Sequence, residues 1–219
     1  MLTRREAAAG LAATALAMSV RGTAQAQEAE AAARSLPPPR ATGGMPLIDA
    51  LKLRRSTRAY STRPLEPQVL SDLLWAADGV NRPSGDRTAP YWRHIMVIDI
   101  YAAMADGVWL YDPKAQALLL RQKDDLRALS GTQDFVGAAP LNLIYVAHGE
   151  RMTDVGPEER RLFASADACF IGQNVYLFCA SEGLATVFRG SANRAKLGAA
   201  MNLPEGQFVT FAQTVGYPA

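Results

Sequence analysis

Cysteine and histidine are scarce. The 219 residues hold two of each: Cys169 and Cys179, His94 and His148. Two cysteines exclude a disulfide-built scaffold and a cysteine-based zinc cluster. Two histidines leave little for a His-rich metal site, so no metal ligands are expected. The net charge of +2 comes without a basic run, which argues against a nucleic-acid partner. No apolar stretch of about 18 residues occurs beyond the N-terminus, so no internal membrane span is expected. What is present is 49% hydrophobic and 20% charged residues. That is a chain able to bury a core, in one domain at this length.

Residues 1–26 read as an address rather than part of the fold. Thr3-Arg4-Arg5-Glu6 opens a short positive region, and a weakly hydrophobic Ala/Leu-rich segment runs from Ala7 to Val20. Arg21 follows, then Ala24-Gln25-Ala26, an A-x-A cleavage signal. The paired arginine, the weak apolar region and the basic residue after it favour a twin-arginine export signal cleaved near Ala26. A general secretory signal and an amphipathic N-terminal helix are the other readings. The expected location is periplasmic or otherwise exported. Twin-arginine export carries folded proteins, often with a cofactor already bound. The segment holds Arg4, Arg5, Arg21 and Glu6, so its removal cancels the whole positive excess.

Residues 27–44 read as a flexible Ala/Pro/Gly tether, with Leu36-Pro37-Pro38-Pro39 and Thr42-Gly43-Gly44 breaking any regular element. The folded domain is expected over 45–219. Pro46 to Leu53 is predicted as a short helix. Leu65 to Gly79 is a clearer one, with Pro67 at its first position and Leu70, Leu73, Leu74 and Ala77 on one face. Ile95 to Tyr101 and Gly107 to Tyr111 read as strands of a hairpin turned at Ala105-Asp106-Gly107. Asp124 to Ser130 is expected to be a short helix. Leu141 to Ala147 is apolar almost throughout, as a strand buried on both faces should be.

Glu158 to Ser181 is the longest predicted helix. Its apolar residues reach most of the way round, so burial in the domain or at a dimer interface is expected. Cys169 and Cys179 are about 15 Å apart along it, too far to pair within the chain. Both read as buried thiols. Ala185 to Phe188 (strand), Asn193 to Met201 (helix) and Gln207 to Val215 (strand) complete an α+β pattern, with helices around a mixed or antiparallel sheet.

Two segments carry chemistry. Arg54-Arg55-Ser56-Thr57-Arg58-Ala59-Tyr60 puts three guanidinium groups and two hydroxyls within five residues, the donors a phosphate dianion needs. A solvated charge run is the plainer alternative. Far downstream, Gly183-Leu184-Ala185-Thr186-Val187-Phe188-Arg189-Gly190 ends a helix, forms a short strand and closes on a glycine that admits close backbone approach.

Together these segments resemble the flavin-dependent nitroreductase family over about Met45 to Pro218. The match looks nearest to the branch similar to azoline-oxidising dehydrogenases. Arg54 to Tyr60 looks like the family's FMN-phosphate motif, and Asn81-Arg82 with Arg87-Thr88-Ala89-Pro90 like its following flavin-side loop. Gly172 to Leu177 resembles its central dimer helix, and Val215-Gly216-Tyr217-Pro218 its closing strand.

The resemblance implies FMN as cofactor. Arg54, Arg55, Ser56 and Arg58 would hold the phosphate and ribityl end. The backbone of Arg189 and Gly190 would face flavin N5 and O4, and Gln133 would lie near the ring. It implies no catalytic acid or base, because the flavin carries the redox chemistry. It also implies a homodimer, and ping-pong hydride transfer between a donor, NAD(P)H or another, and a small organic substrate. Departures are Tyr91 and Trp92 where small residues are usual, and His94 and Met96 where the family has Asn and Gln. The sequence runs to Ala219 without the basic tail of many relatives, so phosphate binding is expected to rest on the N-terminal arginines. The alternatives are a degenerate flavin-binding or non-catalytic partner protein and, more remotely, a flavin-fragmenting enzyme.

Overall fold

The computed structural model describes residues 33–40 and 42–219. The export segment lies outside them. Seven strands and four helices follow in chain order. They are β1 (Ala33–Ser35), α1 (Leu47–Leu53), α2 (Pro67–Asp78), β2 (Ile98–Met104), β3 (Gly107–Asp112), β4 (Ala117–Gln122), β5 (Leu141–His148), α3 (Pro157–Ser181), β6 (Ala185–Arg189), α4 (Arg194–Ala200) and β7 (Gln207–Gly216). The strands form one sheet in the order β1-β4-β3-β2-β5-β7-β6. The β2–β3, β2–β5, β3–β4, β5–β7 and β6–β7 pairs are all antiparallel. The α+β expectation therefore holds, and its mixed-or-antiparallel alternative resolves to antiparallel for these pairs.

The pleat sorts the core into two layers. On β5, Leu141, Leu143, Tyr145 and Ala147 face one cluster, and Ile144 and Val146 face the other. The first cluster contains Leu70, Leu73, Leu74 and Ala77 of α2 with Ala164, Ala168, Ile171, Val175 and Cys179 of α3. The second contains Leu197 of α4 with Leu126 and Met201. All eight β5 residues are buried, because helices cover both faces of the central strands. The α2 face is as the spacing predicts, and each buried leucine is worth about 1.5–3 kcal/mol. Gly79 follows α2 at φ −74, an ordinary backbone angle. It is glycine for room: a Cβ there would sit 2.3 Å from the Trp75 ring.

Several expectations are corrected. β4 was not anticipated. It returns from β3 through a turn in which the Asp112 carboxylate accepts from the N–H groups of Lys114 (2.9 Å) and Ala115 (3.1 Å). Of Asp124–Ser130, only Arg127–Ser130 is helical, as a single 3-10 turn. Part of the supposed tether is attached to the domain. Leu36 is buried and donates its N–H to the Gln116 carbonyl at 3.0 Å. The Arg40 guanidinium pairs with Asp72 on α2 and Glu182.

α3 is buried on one face only. Leu162 is 64% exposed and Phe170 49%, and Cys169 is exposed while Cys179 is buried. By length and composition α3 is apolar enough to cross a membrane, contrary to the expectation above. Its buried Asp167 and its packing against the sheet make it the core helix of this domain.

Candidate active site

The outer edge of β6 gathers the residues picked out by sequence. α1 ends at Arg54, whose φ/ψ of −54/120 sends the chain into an extended run. That run lies beside β6: the Thr57 N–H donates to the Thr186 carbonyl at 2.9 Å, and Tyr60 bridges Pro218. The Tyr60 hydroxyl donates to the Thr57 carbonyl at 2.6 Å, and burial pushes its pKa up.

α3 reaches the same edge from the other side. It stops at Gly183, whose φ of +69 is left-handed, and the Leu184 N–H returns to the Cys179 carbonyl at 2.8 Å. The tight reversal brings Tyr176, two turns from the helix end, level with the new strand. Its hydroxyl accepts from the Phe188 N–H at 2.9 Å and shares a 2.7 Å hydrogen bond with Ser56 Oγ. The Arg54 guanidinium lies 5.2 Å from the Tyr176 ring centroid. Arg55, Thr57, Tyr176 and Thr186 help line a cavity of about 220 Å³ there. Arg55, Ser56 and Arg58 are exposed, and none of the three arginines forms an ion pair among the described residues.

At the far end of β6, the Ser191 hydroxyl donates to Gln133 Oε1 at 3.0 Å, and the Thr132 N–H donates to the Ser191 carbonyl at 3.1 Å. Gln133 is thus held beside the Gly190 turn. Gly190 is exposed, and a Cβ there would meet nothing nearer than 3.6 Å. By strand alternation its N–H lies on the same outer edge as that of Phe188.

The Arg189 side chain points the other way. It is 3% exposed and donates to Thr214 Oγ1 (3.1 Å), the Ser130 carbonyl (2.8 Å) and Asn142 Oδ1 (2.9 Å). Burial without a carboxylate partner pulls its pKa down to about 10. Its side chain secures the end of β6 and its backbone pairs with Ala212 of β7, so of the two residues only Gly190 turns its N–H to the outer edge.

The loop from Arg87 to Met96 lies elsewhere in the chain. The Trp92 N–H donates to the Asp167 carboxylate at 2.9 Å, and its ring stacks on Phe163 at 5.7 Å. Asp167 and Tyr176 are separated by about 13 Å along α3. Tyr91 donates to Asp86 rather than to any group near β6. Tyr91 and Trp92 therefore do not crowd the β6 edge of the same chain. The loop is held in a costly conformation, with Arg93 at φ 46 and His94 at φ 58.

Behind the loop, Asp78, Arg87, Met96 and Asp167 meet in a small recess. The Arg87 guanidinium contacts the Met96 sulfur at 3.4 and 3.2 Å and donates to the Asp78 carbonyl at 3.2 Å. Burial raises the Asp78 carboxyl to about 7 against the pull of Arg87. It raises Asp167 to about 6 against the Trp92 N–H. Sequence reasoning assigned no role to Tyr176, Asp78 or Asp167. A hydroxyl two turns before a helix-ending glycine, and aspartates inside otherwise apolar helices, are the signals that were available.

A family model described as the nitroreductase family matches residues 51–217. A nitroreductase-like protein of Methanocaldococcus jannaschii is 32% identical over 155 residues, covering 66% of this chain and 78% of its own length. The crystal structure of a nitroreductase-like protein from Ralstonia eutropha JMP134 superposes with a TM-score of 0.82 at 46% identity, covering 86% of this chain and 90% of that one. The NADPH:FMN oxidoreductase of Vibrio harveyi, solved with NAD+, shares the fold at a TM-score of 0.57 and 21% identity, covering 78% of this chain and 68% of that one.

Proposed function

This chain belongs to the nitroreductase family, and we propose that it is an exported FMN-dependent oxidoreductase whose cofactor lies along the outer edge of β6. One observation carries the reading. Segments from three distant parts of the chain, Arg54–Arg58, Gln133 and Arg189–Gly190, meet on a single strand edge. The residues there fit the group. Three guanidinium groups without ion-pair partners among the described residues and the Ser56 hydroxyl suit a phosphate. The open space at Gly190 suits a flat ring brought against backbone.

The chain's own roles follow. Arg54, Arg55 and Arg58 bind the phosphate end, with Ser56 oriented by the Tyr176 hydroxyl. The Gly190 N–H supplies a fixed donor at the ring's polar edge, where it stabilises negative charge. Ser191 holds the Gln133 amide for a second polar contact. No acid or base of the chain is assigned a catalytic role, and His94 belongs to the strained loop. Bound FMN supplies hydride exchange between a donor and a small organic substrate that enter in turn.

The finer reading places the protein near the azoline-oxidising branch, as a homodimer. The exposed Leu47, Ile48, Leu51 and Leu53 of α1 and Phe170 of α3 support a dimer face. Export by the Arg4-Arg5 signal would remove the protein from cytoplasmic NAD(P)H, which favours another physiological donor.

The test is the absorbance spectrum of the purified protein, with mass analysis of whatever heat releases. Flavin bands near one FMN per chain are expected. A colourless protein that also fails to take up added FMN overturns the reading and leaves the degenerate alternative.

A further inference from the structure

β6 stops short of its partner. The β6–β7 register ends at Arg189↔Ala212, so Gln207 to Phe211 pair with β5 alone and keep an open edge. Arg194 crosses that edge. Its Nε donates to the Thr210 carbonyl at 2.6 Å and its Nη2 to the Gly190 carbonyl at 3.2 Å, with the guanidinium 5.6 Å from the Phe211 ring centroid. Beside it opens a cavity of about 950 Å³ between α3, α4 and β7.

The lining of this cavity is one-sided in charge. Arg160, Arg161 and Arg194 face it against one carboxylate, Glu205. Arg160 Nε is committed to the Val155 carbonyl at 2.9 Å. Arg161 has no ion pair among the described residues. Phe208 and Phe211 supply flat apolar surface. Gln207 also lines the cavity, and its Oε1 is buried with no hydrogen-bond partner among the described residues. An orphaned acceptor in a recess calls for a donor, and an unpaired guanidinium fork calls for a carboxylate or similar anion. Two of its lining residues border Gly190 at the end of β6: a Cβ there would lie 3.6 Å from the Arg194 guanidinium and 3.7 Å from the Phe211 ring.

We propose that this cavity is the substrate subsite, and that it selects a planar organic anion that also carries a hydrogen-bond donor. Arg161 reads the anion with Arg160 beside it, Gln207 accepts from the donor, and Phe208 and Phe211 take the ring. The molecule's far end then lies at Gly190. That last placement rests on the reading of Gly190 as the flavin edge, whereas the preference for an anion rests on the cavity alone.

The experiment is calorimetric titration of the full-length protein with 4-hydroxybenzoate and with the neutral 4-hydroxybenzamide, alongside the FMN content of the same sample. The acid is expected to bind at least about tenfold more tightly than the amide. Arg161→Ala should bring the ratio close to one, and Arg161→Lys should keep part of it. Lys196→Ala removes a charge of the same sign elsewhere on α4 and should leave the ratio intact. Gln207→Leu should lower affinity for 4-hydroxybenzoate relative to benzoate.

Equal binding of acid and amide by the wild type overturns the proposal. So does an Arg161→Ala protein that melts like the wild type and keeps the preference. Acid preference in a protein unable to hold FMN supports the anion cavity while removing the FMN reading. FMN binding without acid preference does the reverse.

Discussion

Ser56 and Tyr176 stand 120 residues apart in the chain and share a 2.7 Å hydrogen bond. The same Tyr176 hydroxyl accepts from the Phe188 N–H at 2.9 Å. One phenol therefore ties the arginine-rich segment, the core helix and the edge strand together. Tyr176→Phe keeps the ring under Arg54 and removes only the hydroxyl. It leaves the Phe188 N–H and the Ser56 hydroxyl without this partner. The expected outcome is an FMN dissociation constant about tenfold higher, or about 1.4 kcal/mol, by fluorescence-quenching titration. Unchanged affinity would place the cofactor elsewhere.

Arg189 and Gly131 make a second pair. A Cβ on Gly131 would sit 2.0 Å from Arg189 Nη1 and 2.9 Å from a Val136 methyl. The guanidinium cannot retreat without leaving its three uncharged acceptors. Gly131→Ala should cost about 1–3 kcal/mol in urea unfolding, the range for an overpacked interior. Arg189→Lys should cost a similar amount, because one ammonium cannot reproduce the planar fork. A Gly131→Ala midpoint equal to the wild type would contradict the Arg189 placement.

The contributions of Asp78 and Asp167 to stability should fall as pH rises from about 4 to about 7. Asp78 and Asp167 are raised from an ordinary 3.8 to about 7 and about 6 in the folded protein, so the folded state holds their protons more tightly than the unfolded chain. Their contribution is complete below the unfolded value and is lost as pH climbs through the folded values. Denaturation midpoints should therefore decline over the upper part of that window, above the range where the lowered carboxyls of Asp86, Asp106, Asp125 and Glu150 act in the opposite sense. Asp78→Asn and Asp167→Asn should each flatten the decline, which separates their part from that of His148, whose raised pKa acts in the same sense. Parallel pH profiles for wild type and both variants would refute the assignment.

The apolar face of α1 is expected to be covered by a second copy. Leu47 and Ile48 are both 62% exposed, far more than a domain of this size needs to leave open on one short helix. Leu47→Glu with Leu51→Glu should convert a dimer into a folded monomer in sedimentation equilibrium. A wild type that already sediments as a monomer at micromolar concentration would remove the homodimer from the reading.

The export proposal has its own readout. Arg4→Lys with Arg5→Lys should retain the protein in the cytoplasm of a host with a working twin-arginine pathway. The exported wild type should begin at Gln27 by N-terminal sequencing. Export that survives the double substitution would point to the general secretory route.

Much of the architecture was legible because it is local. The spacing of Leu70, Leu73, Leu74 and Ala77 defines a helix face within three turns, and the unbroken apolar run of β5 announces a strand covered on both sides. β4 escaped notice because its pairing depends on a turn at Asp112 that looks like any loop. Cys169 and Cys179 share one apolar helix and similar neighbours, so their opposite burial followed only from which face of α3 met the sheet.

The candidate site divides along the same line. Residue types alone marked Arg54, Arg55, Ser56 and Arg58 as suited to an anion, and Gly190 as a point of close backbone approach. A guanidinium fork and a missing side chain have those capacities in any surroundings. The sequence by itself also determined the antiparallel-capable α+β pattern. Only the tertiary structure decided that the Arg189 side chain turns inward, that Tyr176 joins Ser56 to Phe188, and that Arg87 shares a recess with two aspartates whose pKa values are raised by burial. Those relations depend on burial and on contacts between residues tens to more than a hundred positions apart. The free energy of such contacts resides in the packing of whole elements, which no local stretch of residues contains.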